Sequence, residues 1–133
     1  MTAAYKLIVF DWDGTLMDSV ARIVASMRAA ITDLVLPQRT EMELRNVIGL
    51  GLQEALTMLY PEENAHILGQ LTERYRHNYL YADPTPAELF TGMKSLLTTL
   101  NDRGYYLAIA TGKSRTGLTQ ALEKTAVGGC FHT

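Results

Sequence analysis

The chain has 133 residues, 47% of them apolar, with 12 Lys and Arg against 14 Asp and Glu for a formal charge of −2. That length and composition suit one ordinary domain or two small units with a packed core, and they offer neither a basic excess for nucleic acid nor an acidic tail. One cysteine, Cys130, excludes an internal disulfide and fits a reducing compartment. Residues 1–10 are too short and too lightly charged for a signal peptide, and no apolar run approaches membrane-spanning length. A cytoplasmic protein with no membrane partner is expected.

The first element is Lys6-Leu7-Ile8-Val9-Phe10, a run of strand formers apolar on both faces, as in a buried parallel strand. It ends in Asp11-Trp12-Asp13-Gly14-Thr15. Side chains two apart share one side of a strand, so Asp11 and Asp13 are expected to project together, with Trp12 turned away. Gly14 permits a sharp turn and a close approach to a ligand. Neighbouring carboxylates repel, and three arrangements tolerate them: a shared divalent cation, one protonated partner, or use of one as a nucleophile. All three point to phosphoryl chemistry. The plainer reading is a polar strand end followed by an Asp-Gly turn.

Helical periodicity follows. Met17, Val20, Ile23, Val24, Met27, Ile31, Leu34 and Val35 mark one amphipathic face, with Asp18 or Ser19 as the cap and Pro37 as the stop. Thr40 and Glu43 have capping-box spacing for a short helix. Gly49-Leu50-Gly51 interrupts the pattern before Leu52, Ala55, Leu56 and Leu59, which Pro61 ends. Leu68, Leu71, Tyr75 and Tyr79 then line a long helix reaching about Tyr81. Residues 17–82 thus read as a helical bundle, and Asp83-Pro84-Thr85-Pro86 as a semi-rigid linker.

Beyond the linker, Met93, Leu96, Leu97 and Leu100 form a helix that Gly104 closes. Tyr105 to Thr111 is a second strand, broken by Gly112-Lys113-Ser114. Leu118, Ala121, Leu122 and Thr125 belong to a last helix, which stops before Gly128-Gly129. Strand, helical insert, helix, strand, helix is an α/β plan. Its two polar clusters, Asp11-Asp13 and Thr111-Gly112-Lys113, both fall at C-terminal strand ends, where open α/β sheets bind ligands.

Asp11-Trp12-Asp13-Gly14-Thr15-Leu16-Met17-Asp18-Ser19 after an apolar strand closely resembles the first motif of the haloacid dehalogenase superfamily in its phosphatase form. Ala110-Thr111-Gly112-Lys113 resembles the second motif. The insert between them is similar to the cap of the phosphoglycolate phosphatase and β-phosphoglucomutase branch. The resemblance implies a Rossmann-like α/β core, partial here, formed by residues 1–16 and 83–133, with an inserted α-helical cap domain over 17–82.

The resemblance further implies that Asp11 is the nucleophile and Asp13 the acid and base. It implies too that Mg2+ is held at Asp11 and the Asp13 backbone carbonyl, that Thr111 and Gly112 bind phosphate, and that Gly14, Thr15 and Lys113 support them. Arg45, Gly49 and Leu50, at the cap loop, are candidate substrate contacts, with a solvated helix position the plainer reading of Arg45. The implied partner is a small phosphorylated metabolite. The family's later lysine and acidic cluster do not occur in the sequence, so the chain is expected to be the N-terminal part of a longer enzyme. Lys113 substitutes for that lysine in one reading and faces solvent or a helix partner in the plainer one. His66, His77 and His132 lack ligand-like spacing. A Mg2+-dependent phosphatase, a phosphosugar mutase and a non-catalytic binding module remain the three functional alternatives.

Overall fold

A computed structural model describes residues 5–132. The chain divides into two compact units, Met1–Asp18 with Glu88–Thr133, and Ser19–Ala87. Residues 17–18 therefore go with the α/β unit, and residues 83–87 with the helices. Among the described residues no helix is long and apolar enough to cross a membrane.

The α/β unit is built on two strands, β1 (Leu7–Phe10) and β4 (Tyr106–Ile109), paired parallel with Leu7 opposite Tyr106 and Phe10 opposite Ile109. Two shorter strands, β2 (Met17–Asp18) and β3 (Glu88–Leu89), pair antiparallel beside them in sequence. This corrects the expected helical placement of Met17. Its N–H donates to Trp12 O at 3.0 Å, and Leu16 O accepts from Phe90 N–H at 2.9 Å, so the segment is held as extended chain before the helix begins. Trp12, Leu16, Leu97, Leu107 and Val127 are fully buried in this unit, whereas Leu7 and Val9 on β1 stay about half exposed at 52% and 54%.

Helix α5 (Met93–Asp102) ends as the sequence suggests. Gly104 takes φ 89°, its N–H donates to Asn101 O at 3.0 Å, and Tyr105 N–H reaches Leu100 O at 3.2 Å. Those two bonds satisfy the last carbonyls in the Schellman pattern, which glycine adopts without a Cβ clash. Helix α6 (Arg115–Thr125) ends on Ala126 in the left-handed region, φ 60°.

The helical unit holds α1 (Val20–Asp33), α2 (Glu41–Asn46), α3 (Leu52–Leu59), α4 (Ala65–His77) and a π-helical turn at Asn78–Ala82. Ile31, Leu44, Leu56, Tyr60 and Leu71 are buried at its centre. The capping box at α2 is complete: Thr40 Oγ1 accepts from Glu43 N–H at 3.1 Å, and Glu43 accepts from Thr40 N–H at 3.1 Å. Those bonds hold the Glu43 carboxyl below its ordinary value. Ser19 stands at the α1 cap position without a capping side-chain bond. Where continuous helix to about Tyr81 is expected, α4 widens into the π turn, and the Arg22 guanidinium stacks on Tyr79 and donates through Nε to Tyr79 O at 3.0 Å.

Helix α1 ends at Asp33, before Pro37, and Val35 is 89% exposed rather than in the apolar stripe. Its φ is +55°. The left-handed turn lets Val35 N–H reach Thr32 O at 3.0 Å and Leu36 N–H reach Ile31 O at 3.1 Å, closing the helix as a glycine would. A β-branched residue is strained there. Val35→Gly is therefore expected to raise stability by about 1 kcal/mol, read as a higher urea midpoint at constant slope.

Candidate active site

The parallel register sets the site. Ala110 N–H donates to Phe10 O at 2.9 Å, so the chain leaves β1 at Asp11 and β4 at Thr111 from the same sheet edge. On the first side, Trp12 is fully buried, while Asp11 is exposed and Asp13 partly buried. That alternation turns both carboxylates away from the core that holds the indole. Asp11 Oδ1 accepts Trp12 N–H at 2.8 Å, which fixes its orientation.

The following loop is tightly wound. Trp12 O accepts the N–H groups of Thr15 at 3.2 Å, Leu16 at 3.0 Å and Met17 at 3.0 Å, and Gly14 N–H donates to Met17 O at 2.8 Å. Gly14 reaches φ 79°, a conformation in which a side chain is unfavourable. Thr15 is exposed on this loop, and its backbone is what ties it to the Trp12 carbonyl.

On the second side, Thr111 Oγ1 accepts Lys113 N–H at 3.1 Å, bending the chain into α6. Ser114 caps that helix, its Oγ accepting Gly117 N–H at 3.1 Å. The bend sends Lys113 back to the first cluster: Nζ lies 3.6 Å from Asp13 Oδ1, with the two side chains only 12% and 14% exposed. This corrects the plainer reading of Lys113 as solvent-facing. A partly enclosed ion pair is screened by salt far less than one on the open surface. The positively polarised start of α6 stands at the same edge.

The sequence marks Ser114 only as part of the break after the second strand and gives Gly117 no role. A Cβ placed on Gly117 meets Ser114 Oγ at 3.2 Å and Lys113 Cγ at 3.4 Å, so the bare backbone there borders the Lys113 stem. The available signal is a glycine inside the first turn of a helix, where it weakens the helix unless space is needed.

Arg45, Gly49 and Leu50 belong to the helical unit. Arg45 is exposed near the end of α2, and its carbonyl accepts Ile48 N–H at 3.1 Å. Gly49 is exposed at φ 103°, and Leu50 is partly buried. Among the described residues no group of three or more His, Cys, Asp or Glu is placed to hold a metal. Asp11 and Asp13 nevertheless offer the hard oxygen donors that Mg2+ takes when it keeps several waters and binds through one or two carboxylates. Because the Asp13 carboxylate faces Lys113, the donors fit best as the Asp11 carboxylate with the Asp13 backbone carbonyl.

A family model described as haloacid dehalogenase-like hydrolase matches residues 8–133. A phosphoglycolate phosphatase from Mannheimia succiniciproducens is 29% identical over 98% of this chain and 62% of its own length. The crystal structure of a predicted phosphoglycolate phosphatase from Haemophilus somnus 129pt superimposes with a TM-score of 0.83 at 26% identity, over 99% of this chain and 62% of that one. A predicted phosphatase from Clostridium acetobutylicum shares the fold, with a TM-score of 0.83 at 24% identity over 98% of this chain and 60% of that one. The chain spans about three-fifths of the length of the curated relatives it matches.

Proposed function

The chain belongs to the haloacid dehalogenase-like hydrolases, and from that premise we propose that the full-length protein hydrolyses a small phosphomonoester through a phosphoenzyme on Asp11. The observation that carries this reading is the Lys113–Asp13 contact at 3.6 Å, which joins the two sheet-edge clusters into one site.

The chemistry proceeds in two displacements. An Asp11 carboxylate oxygen attacks phosphorus, and the bond from phosphorus to the ester oxygen breaks. Asp13 gives its proton to that departing oxygen. Asp13 then takes a proton from water, whose oxygen attacks phosphorus and releases inorganic phosphate, restoring the Asp11 carboxylate. Thr111 and Gly112 hold the phosphoryl oxygens at the second strand end, and Thr15 and Gly14 brace the loop that carries Asp13. Asp11 and the Asp13 backbone carbonyl would hold Mg2+, which would supply positive charge against the transferring group.

The helical unit, residues 19–87, serves in this reading as a cap that excludes water and selects the substrate, with Arg45, Gly49 and Leu50 on its loop. The relatives named phosphoglycolate phosphatase support a small phosphorylated metabolite of that kind as substrate. The test is release of inorganic phosphate from 2-phosphoglycolate and from p-nitrophenyl phosphate by the full-length protein. Turnover lost to a chelator and restored by Mg2+ supports the proposal. No release from either ester with Mg2+ present overturns it, and turnover only with a bisphosphate activator redirects it to a mutase.

A further inference from the structure

We propose that Lys113 and Gly117 act together as positioning residues for Asp13: the missing side chain at Gly117 leaves a lane along the first turn of α6, and the Lys113 stem uses that lane to bring its ammonium to the Asp13 carboxylate. The inference rests on the phosphatase reading for its catalytic consequence, but its structural part stands on geometry alone.

Three observations converge. Lys113 and Asp13 are both largely enclosed and 3.6 Å apart, although they sit a hundred positions apart in sequence and belong to loops after different strands. The Thr111 hydroxyl holds the Lys113 backbone N–H at 3.1 Å, which fixes where the stem starts. At Gly117 an added Cβ approaches the stem at 3.4 Å from Cγ and 3.8 Å from Cε. The backbone of Gly117 lies outside the left-handed region, unlike Gly14, Gly49, Gly92 and Gly104. Its conformation therefore does not demand glycine, and helix propensity argues against it. An added Cβ presses on the Ser114 cap at 3.2 Å and only touches the Lys113 stem, so a longer, branched side chain is what reaches into the lane.

A lysine stem is flexible and loses rotamer freedom when held. Laying it against a smooth helix surface limits its conformers before any substrate arrives. The ammonium then restrains the carboxylate that exchanges protons with the ester oxygen and with water. Lys113 in this role acts through Asp13 and is distinguished from a substrate contact by leaving KM unchanged.

The test uses the full-length protein and two independent readouts. In the first, native protein is treated with trinitrobenzenesulfonate and each lysine is quantified by peptide mapping, with the exposed Lys94 and Lys124 as internal references. Lys113 is expected to react several-fold more slowly than either, and Asp13→Asn and Gly117→Val are each expected to bring it close to them. Ser114→Ala, which removes the helix cap but leaves the lane open, is expected to lower stability without raising Lys113 labelling. Fast labelling of Lys113 in the wild type, or labelling indifferent to both Asp13→Asn and Gly117→Val, overturns the proposal.

In the second readout, Lys113→Met, which keeps the stem and removes the charge, lowers kcat by about 10- to 100-fold with KM held, the pattern of a misplaced catalytic group. Gly117→Val follows in the same direction. A raised KM at unchanged kcat overturns the positioning role in favour of substrate contact. If neither ester is turned over, the phosphatase reading fails while the labelling result still decides whether the lane and its ion pair exist.

Discussion

Asp11→Asn in the full-length protein is expected to abolish turnover, with kcat down by about 10⁴-fold or more, the scale on which removal of an attacking group acts. The substitution keeps the size of the side chain and an oxygen that accepts the Trp12 N–H, now 2.8 Å from Oδ1. Asp11 is exposed at the strand end, so no core contact depends on its charge. Stability is therefore expected to stay within error of the wild type, which separates lost chemistry from lost fold. An amide oxygen is a poor nucleophile, and no acyl phosphate forms on it. Rapid quenching with a 32P-labelled ester is the decisive measurement. Wild-type protein is expected to carry alkali-labile phosphate that maps to the peptide containing Asp11, and the Asn variant none. A labelled phosphoenzyme that survives the substitution removes Asp11 from the role given to it.

What was readable from the sequence was local. Thr40 and Glu43 sit three residues apart, and their capping box needs no partner from elsewhere in the chain. Gly104 closes α5 by donating three residues back, while Tyr105 donates five residues back. The β1 run, apolar on both faces, and the Asp-x-Asp that follows it are adjacent in sequence, so the strand and the loop could be read together. The features that escaped depend on partners far along the chain or on shape. Met17–Asp18 looks like the first turn of a helix, yet it pairs with Glu88–Leu89 across the whole helical insert. A two-residue strand has no periodicity to detect. Val35 fits the apolar stripe by spacing, but the helix stops two residues earlier in a left-handed turn that sequence preferences assign to glycine. Lys113 reads as a surface cation until the strand register and the Thr111 bend are known, because only together do they turn it toward Asp13. Gly117 carries information only after a Cβ is placed on it and its neighbours are seen.

Asp13→Asn is expected to act differently from the change at Asp11, and the difference tests the division of labour between the two carboxylates. With Asp11 intact, phosphorus is still attacked, and an ester whose leaving oxygen needs no proton still phosphorylates the protein. p-Nitrophenyl phosphate meets that condition, whereas an alkyl ester such as 2-phosphoglycolate does not. The first displacement therefore falls by about 10²- to 10⁴-fold for the alkyl ester, the range for loss of a positioned acid–base group, and far less for the aryl ester. The second displacement loses its base for either substrate. Phosphoenzyme consequently accumulates from p-nitrophenyl phosphate, with a burst of p-nitrophenol near one equivalent and a slow steady state. Asp13 is only 14% exposed and faces Lys113, so the Asn variant leaves that ammonium beside a neutral amide. Losing one charge of an enclosed ion pair destabilises, and the variant is expected to unfold at lower denaturant than Asp11→Asn. Equal losses for the two esters with no burst contradict an acid–base role for Asp13. A burst with unequal losses, together with the absence of phosphoenzyme in Asp11→Asn, assigns attack to one carboxylate and proton transfer to the other.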